Sequence, residues 1–234
     1  MSSTFSEDVR ARLDVDAKDV IARYPHERSA LLPLLHLVQA EEGYVSQAGI
    51  GFCAERLGLT KAEVTAVVTF YTMYKRRPVG DYHVGVCTNT LCAVMGGDEI
   101  LAGLKEHLGV GDDEATEDGR VSVEHVECNA ACDFAPVVMV NWEFFDNQTP
   151  ESAKRLVDDL RTGEDVRPTR GPERLCTFKE AGRILAGFSD DRGGEGTQAG
   201  EPSLQGLRLA RERGWTAPER GATVDGTGDE GSDQ

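Results

Sequence analysis

The chain has 234 residues, of which 39% are hydrophobic, enough for a packed core over part of its length. Its 41 acidic residues outnumber 25 Lys and Arg, for a net charge of −16. Such an acidic chain repels phosphate backbones, which argues against nucleic acid and anionic membrane surfaces as direct partners. No run approaches the roughly 18 apolar residues of a transmembrane helix. The start, Met1 to Asp8, has no basic region followed by an apolar one, so no secretory signal is expected. The expected location is the cytoplasm, with any membrane association made through partners. In a reducing compartment the six cysteines are not a disulfide framework, and clustered ones point to metal ligation or redox chemistry.

Residues 1–78 read as successive helices. Asp16 to Arg23 is a short amphipathic piece ending at Tyr24-Pro25. Ser29 to Gln39 carries Leu31, Leu32, Leu34, Leu35, Leu37 and Val38, apolar around most of its surface, so it is expected to be buried on several sides. Pro33 falls near its first turn, where backbone N–H groups lack partners in any case, and Gly43 is its expected stop. Gln47 to Leu57 forms a further helix. Thr60-Lys-Ala-Glu63 is a capping box in front of an apolar run that reaches Met73. The expectation is four helices with short connections, with Phe70 to Tyr74 in core and interdomain packing. Cys53 reads as a small buried hydrophobe; His26 and His36 lack partners at ligand spacing. Lys75-Arg-Arg-Pro-Val-Gly80 is the expected domain break.

Residues 79–162 alternate between strands and helices. Tyr82 to Val86 is a strand that delivers Cys87. A helix follows Cys92, with Ile100, Leu101, Leu104 and Leu108 on its buried side and Gly109 after its end. His107 in its last turn suits the helix dipole and the surface. Gly111 to Arg120 is an acidic loop. Val121 to Val126 alternates as a half-buried strand and delivers Cys128. Val137 to Val140 and Glu143 to Phe145 form a hairpin about Asn141-Trp142, where Asn tolerates a positive φ. Thr149 and Pro150 start a helix whose buried side is Ala153, Leu156, Val157 and Leu160. The order strand, helix, strand, hairpin, helix is that of a small thioredoxin-like α/β domain. A right-handed crossover makes the first two strands parallel, so both cysteine pairs lie at one end. Residues 163–234 are rich in Gly and charge and are expected to be mostly disordered, Asp191 to Gly200 and Gly221 to Gln234 above all. Two short helical islands are expected, at Phe178 to Phe188 and Leu204 to Arg213. Cys176 stands alone and is not read as a ligand.

The chemistry lies in Cys87-Thr-Asn-Thr-Leu-Cys92 and Cys128-Asn-Ala-Ala-Cys132, a C-x4-C and a C-x3-C pair separated by 35 residues. Thiolates are strong ligands for zinc and for iron in clusters, and four complete either a zinc site or a [2Fe–2S] centre. A dithiol of the thioredoxin kind needs C-x-x-C, and a Rieske centre needs two His ligands. His83 and His125 precede the two loops on their strands and do not make that pattern. An oxidised cluster with four thiolates carries a charge of about −2, which calls for positive potential. Cys92 near a helix start, and small neighbours Thr88, Asn89, Ala130 and Ala131, let backbone N–H groups approach the sulfurs.

Cys87 to Cys92 with Met95-Gly96-Gly97, and Glu127-Cys128-Asn-Ala-Ala-Cys132-Asp-Phe-Ala-Pro136, resemble the thioredoxin-like [2Fe–2S] subunit family of bacterial respiratory complex I, NADH:quinone oxidoreductase. Ser29 to Gln39 and Thr69-Phe-Tyr-Thr-Met73 agree, and the resemblance spans roughly residues 20–162. It implies that Cys87, Cys92, Cys128 and Cys132 ligate one [2Fe–2S] cluster. It implies a partner flavoprotein that binds FMN and NADH, against which the helical segment packs, together with other complex I subunits at the inner face of the cell membrane. The cluster is then expected to exchange single electrons with the flavin, beside the main route to quinone. The homologous subunit of a soluble NAD-linked hydrogenase or formate dehydrogenase shares the cysteine motif. A zinc-stabilised interaction module is the non-redox alternative. The family usually has Leu-Gly where this chain has Asn129-Ala130, which bears on backbone approach to the cluster. The tail beyond residue 163 is longer than the family's usual end.

Overall fold

The structure, a computed structural model, describes residues 5–111, 114–196 and 199–217. The run from Gly221 to Gln234 lies outside them, as do parts of the Gly111 to Arg120 and Asp191 to Gly200 stretches.

The first part of the chain is helical. α1 spans Glu7–Ile21, longer than the Asp16 to Arg23 piece expected. Ser6 caps it, and Glu7 and Asp8 in its first turn suit the dipole; end chemistry thus starts the helix where apolar periodicity is weak. α2 (Leu31–Glu42) is the buried helix, with Leu34, Leu35, Leu37 and Val38 almost inaccessible. α3 is Gln47–Leu57, and α4 is Lys61–Phe70 behind a complete Thr60/Glu63 capping box. These helices share one apolar core that includes Leu13, Val20, Phe52, Cys53 and Val64.

α4 stops at Phe70 rather than carrying the apolar run to Met73. Phe70, Tyr71, Thr72 and Met73 are exposed and only Tyr74 is buried, so the expected core role fails for four of the five. The chain turns because α2 holds it. Buried Gln39 donates from Nε2 to the Met73 carbonyl (3.1 Å) and accepts from the Lys75 N–H (2.7 Å). Tyr74 donates to the Leu32 carbonyl at 2.9 Å. A buried amide that satisfies both sides of a turn is worth more than its area suggests, since losing it leaves backbone groups unpaired.

The α/β part holds β1 (Tyr82–Cys87), α5 (Thr90–Val94), α6 (Gly97–Leu108), β2 (Val121–Val126), β3 (Val138–Val140), β4 (Glu143–Phe145) and α7 (Pro150–Thr162). The sheet order is β2-β1-β3-β4. β1 and β2 are parallel, with Tyr82 opposite Val121 and Cys87 opposite Val126. β3 is antiparallel to β1, and β4 to β3. α6 and α7 pack on one another and on the β1–β2 side of the sheet. Ile100, Leu104, Val157 and Leu160 meet Val84, Val86 and Val123 in a second core. His107 sits at the surface in the last turn of α6, paired with Asp158 of α7 at 2.8 Å.

The hairpin turns on Asn141 and Trp142, with φ of 48° and 74°. Asn141 does more than tolerate that φ. It is buried, accepts from the His83 N–H at 2.8 Å and donates to the carbonyls of Asp81 and Cys176, both at 2.9 Å. The chain then continues into α8 (Phe178–Leu185), behind a Thr177/Glu180 capping box. The described residues 199–217 belong to a separate unit, with a short 3-10 helix at Pro202–Leu204 and α9 (Gln205–Glu212). Both helical islands therefore exist.

A polar node joins the helical part to the sheet. Lys75 and Glu124 form an ion pair, and His83 Nε2 lies 3.0 Å from the same carboxylate oxygen. His83 Nδ1 is 3.1 Å from Ser122 Oγ. Burial alone would raise the Glu124 carboxyl, but the His83 contact and the Lys75 charge outweigh it and hold the group at about 2. A depressed carboxyl stabilises the fold above its ordinary range and ceases to do so as pH falls through its folded value. Glu124→Gln is therefore expected to cost on the order of 1–3 kcal/mol at neutral pH. Denaturant melts should show the gap to the parent shrinking as pH falls from about 4.5 towards about 2.

Candidate metal centre

The parallel register brings the two cysteine loops together. Cys87 ends β1 and Val126 ends β2 directly opposite it, so the chain leaves both strands at one edge of the sheet. Asn89 ties the two exits: its Nδ2 donates to the Val126 carbonyl at 3.3 Å and lies 3.8 Å from Cys87 Sγ. The Cys87 N–H donates to the Val137 carbonyl (3.2 Å), which adds the chain just before β3. The structure thus gathers all four predicted residues. Cys87, Cys92, Cys128 and Cys132 line one shallow hollow, with Asn129, Ala131 and Val137 completing its wall.

The four differ in exposure. Cys87 and Cys92 are buried, in a small apolar lining with Ala131, Ala135 and Val137, while Cys128 and Cys132 are exposed. Cys128 Sγ and Cys132 Sγ are 3.5 Å apart. The donor set is four soft thiols around one hollow, with the Cys92 and Cys128 sulfurs each in contact with that of Cys87. That set fits a two-iron cluster, two thiolates to each iron.

Cys92 lies inside a helix rather than just before one. It is the third residue of α5, and the long helix α6 starts only at Gly97. Five residues make a small dipole, so individual N–H groups supply the local positive potential instead. The Val137 N–H points to the Cys92 sulfur and the Ala130 N–H to that of Cys128. Burial nevertheless pushes the Cys92 thiol up to about 11. Cys128 is held below the ordinary thiol range, first by the Ala130 N–H and then by its contact with Cys132. That same contact pushes Cys132 up. Ligation requires the thiolate, so Cys128 is the more readily available donor of the exposed pair.

Two backbone positions shape the hollow. Ala130 adopts φ 54°, the left-handed region, which aims its N–H back at Cys128. Gly97 packs directly under the first loop. A methyl there would lie 2.5 Å from the Cys87 carbonyl oxygen and 2.9 Å from that of Cys92. The sequence marks Asn89 and Ala130 only as small neighbours and Gly97 only as part of Met95-Gly96-Gly97, and does not single out Val137. The Gly96-Gly97 pair was the available signal for close packing.

The sequence pattern of the family described as thioredoxin-like [2Fe-2S] ferredoxin matches residues 17–161. A protein of Mycobacterium tuberculosis, named as a subunit of NADH-quinone oxidoreductase, is 64% identical over 216 residues, covering 92% of this chain and 85% of its own. The protein of the same name from Rickettsia bellii is 41% identical over 148 residues, covering 62% of this chain and 89% of its own. Among solved structures, an NAD+-reducing [NiFe]-hydrogenase in the air-oxidized state superposes with a TM-score of 0.51 at 17% identity, over 57% of this chain and 23% of the other. That likeness concerns the fold.

Adjacent glycines give a test of the packing. Gly97→Ala forces backbone apart around two cysteines and is expected to destabilise the protein by about 1–3 kcal/mol, with loss of the native metal-site spectrum. Gly96 has φ 108° but open space around it; Gly96→Ala should cost on the order of 1 kcal/mol from backbone strain and leave the spectrum intact. Thermal melts and visible absorption of both variants check this.

Proposed function

The chain belongs to the thioredoxin-like [2Fe-2S] ferredoxin family, and from that premise we propose that it is an electron-transfer subunit of an NADH–quinone oxidoreductase. The observation that carries this is the hollow walled by four thiols at the shared end of β1 and β2, in a chain 64% identical to a protein named as part of that enzyme. Cys87, Cys92, Cys128 and Cys132 are the proposed ligands. The cluster, when bound, supplies a one-electron couple. The residues of this chain set its surroundings. Cys87 and Cys92 hold one side in an apolar wall, and the N–H groups of Ala130 and Val137 stabilise negative charge on sulfur.

The remaining parts of the reaction belong to partners. FMN and NADH are assigned to a flavoprotein, and quinone to other subunits. Two exposed apolar patches support docking. Leu91, Val94 and Met95 on and just after α5 surround the cysteine edge, and Val94 is 81% exposed. Phe70, Tyr71 and Met73 project from the end of α4, with exposed Arg76 and Arg77 following. Aromatic residues, Met and Arg are the types enriched at the centre of protein interfaces. We assign the cysteine edge to the flavoprotein, since electron exchange requires close approach, and the α4 patch to the same assembly. No helix among the described residues is long and apolar enough to cross a membrane. The proposed location is the inner face of the cell membrane, reached through membrane-embedded partners.

The EPR spectrum of the dithionite-reduced protein tests the site. A [2Fe–2S] signal is expected, with near-complete loss in Cys128→Ala. A colourless protein containing zinc and no acid-labile sulfide would overturn the redox role. Copurification tests the assembly: recovery of hydrogenase or formate dehydrogenase subunits without quinone-reducing membrane subunits would overturn the complex I assignment and leave the cluster standing.

A further inference from the structure

The family match ends at residue 161, yet the structured chain continues and touches both halves of the molecule. On the sheet side, the Thr169 N–H donates to the Phe144 carbonyl at 2.9 Å. Arg170 pairs with Asp146 at 3.0 Å, both side chains largely buried, and stacks over the Phe144 ring at 4.3 Å. Leu175 enters the sheet core. Asn141 donates to the Cys176 carbonyl, and the Phe178 N–H donates to that of Asp81 at 2.7 Å. The Phe178 ring is fully buried and meets His83 and Trp142 edge-on, with centroids 6.0 and 5.6 Å away.

One helix later the chain is in the other core. Ala186 is buried among the α1–α4 side chains, and Phe188 packs against them. α8 lies along α2 so closely that a methyl on Gly182 would sit 3.2 Å from Ala40 Cβ. Lys179 Nζ donates to the Glu41 carbonyl at 2.8 Å, and Arg23 to that of Gly187 at 2.7 Å. Arg183 reaches both carboxylate oxygens of Asp16, at 2.7 and 3.3 Å.

A segment that enters one core at Leu175 and another at Ala186 couples them, because neither core can move without drawing a buried side chain out of the other. Helices α1–α4 pack chiefly on one another and on α8, and the sheet packs on α6 and α7. We propose that residues 163–188 are an intramolecular strap that locks the helical bundle onto the α/β domain, so that the two turn as one body. The exposed α4 patch and the cysteine edge then keep a fixed separation. This holds whatever assembly the chain serves.

The bonds after Lys75 and Arg76 report on the lock: the Arg76 side chain is exposed, but Gln39 holds the backbone at Met73 and Lys75, so trypsin requires local opening to extend the chain there. In the full cluster-loaded chain, Phe178→Ala is expected to raise the cleavage rate after Lys75 and Arg76 by about tenfold or more. It should also split a single thermal transition in two, with the reduced EPR signal unchanged before digestion. Phe178→Leu, which keeps an apolar side chain, should show the same direction at smaller amplitude. Arg183→Ala, on the surface of α8, should raise cleavage on the order of two- to fivefold. Unchanged cleavage and a single unshifted transition in both Phe178→Leu and Arg183→Ala overturn the strap, whether or not Phe178→Ala folds.

Discussion

Everything at the metal centre depends on the parallel register between β1 and β2. With Cys87 opposite Val126, both loops leave the sheet at the same edge and level. Side chains alternate along a strand, so a slip of one residue would turn Val84 and Val86 out of the core and move every apolar partner on the face. The core opposes this from below, with Ile100 and Leu104 of α6 packed on Val84, Val86 and Val123. Asn89 opposes it from above, by bonding the end of β2 from the start of the first cysteine loop. Packing energy across the sheet is thereby converted into positional accuracy among four sulfurs.

The sequence made the sheet order's essentials legible, because they rest on short-range chemistry. Alternation in Val121 to Val126, the Thr149-Pro150 start and the Asn141-Trp142 turn each correspond to an observed element. Less legible was anything that depends on distant pairing. Asn141 reads as a turn residue, yet its side chain satisfies three separate backbone groups, a role that exists only after folding. Phe70 to Met73 read as core because they are apolar. They are exposed because Gln39, thirty or more residues earlier, bends the chain away at Met73 and Lys75. The docking of α8 is hidden by composition, since a handful of apolar residues such as Leu175, Phe178 and Ala186 sit among glycines and charges.

The four cysteines are the easiest feature to find and the hardest to characterise from spacing alone. Spacing gives donor number, and donor number suits zinc as well as iron. What separates the two is the family match over residues 17–161; the structure adds one hollow lined by all four sulfurs, with the N–H groups of Ala130 and Val137 aimed at two of them. Those N–H groups come from a left-handed alanine and from the residue just before a strand. Neither has a signature that an apolar pattern or a capping motif can carry.

The order in which the chain is made gives α8 a further meaning. Synthesis proceeds from the N-terminus at about 5–20 residues per second, so the roughly 26 residues from the end of α7 to Phe188 take on the order of one to five seconds. By then the bundle helices, both cysteine loops and α7 have already been synthesised. Until α8 follows, the helical part and the sheet are joined through the Lys75–Glu124 pair, and the place of Phe178 beside Trp142 and His83 has no occupant from the chain made so far. α8 is thus the last helix of residues 5–196 to be synthesised, and the buried links it makes to both cores come after every other helix and strand of that span has been made.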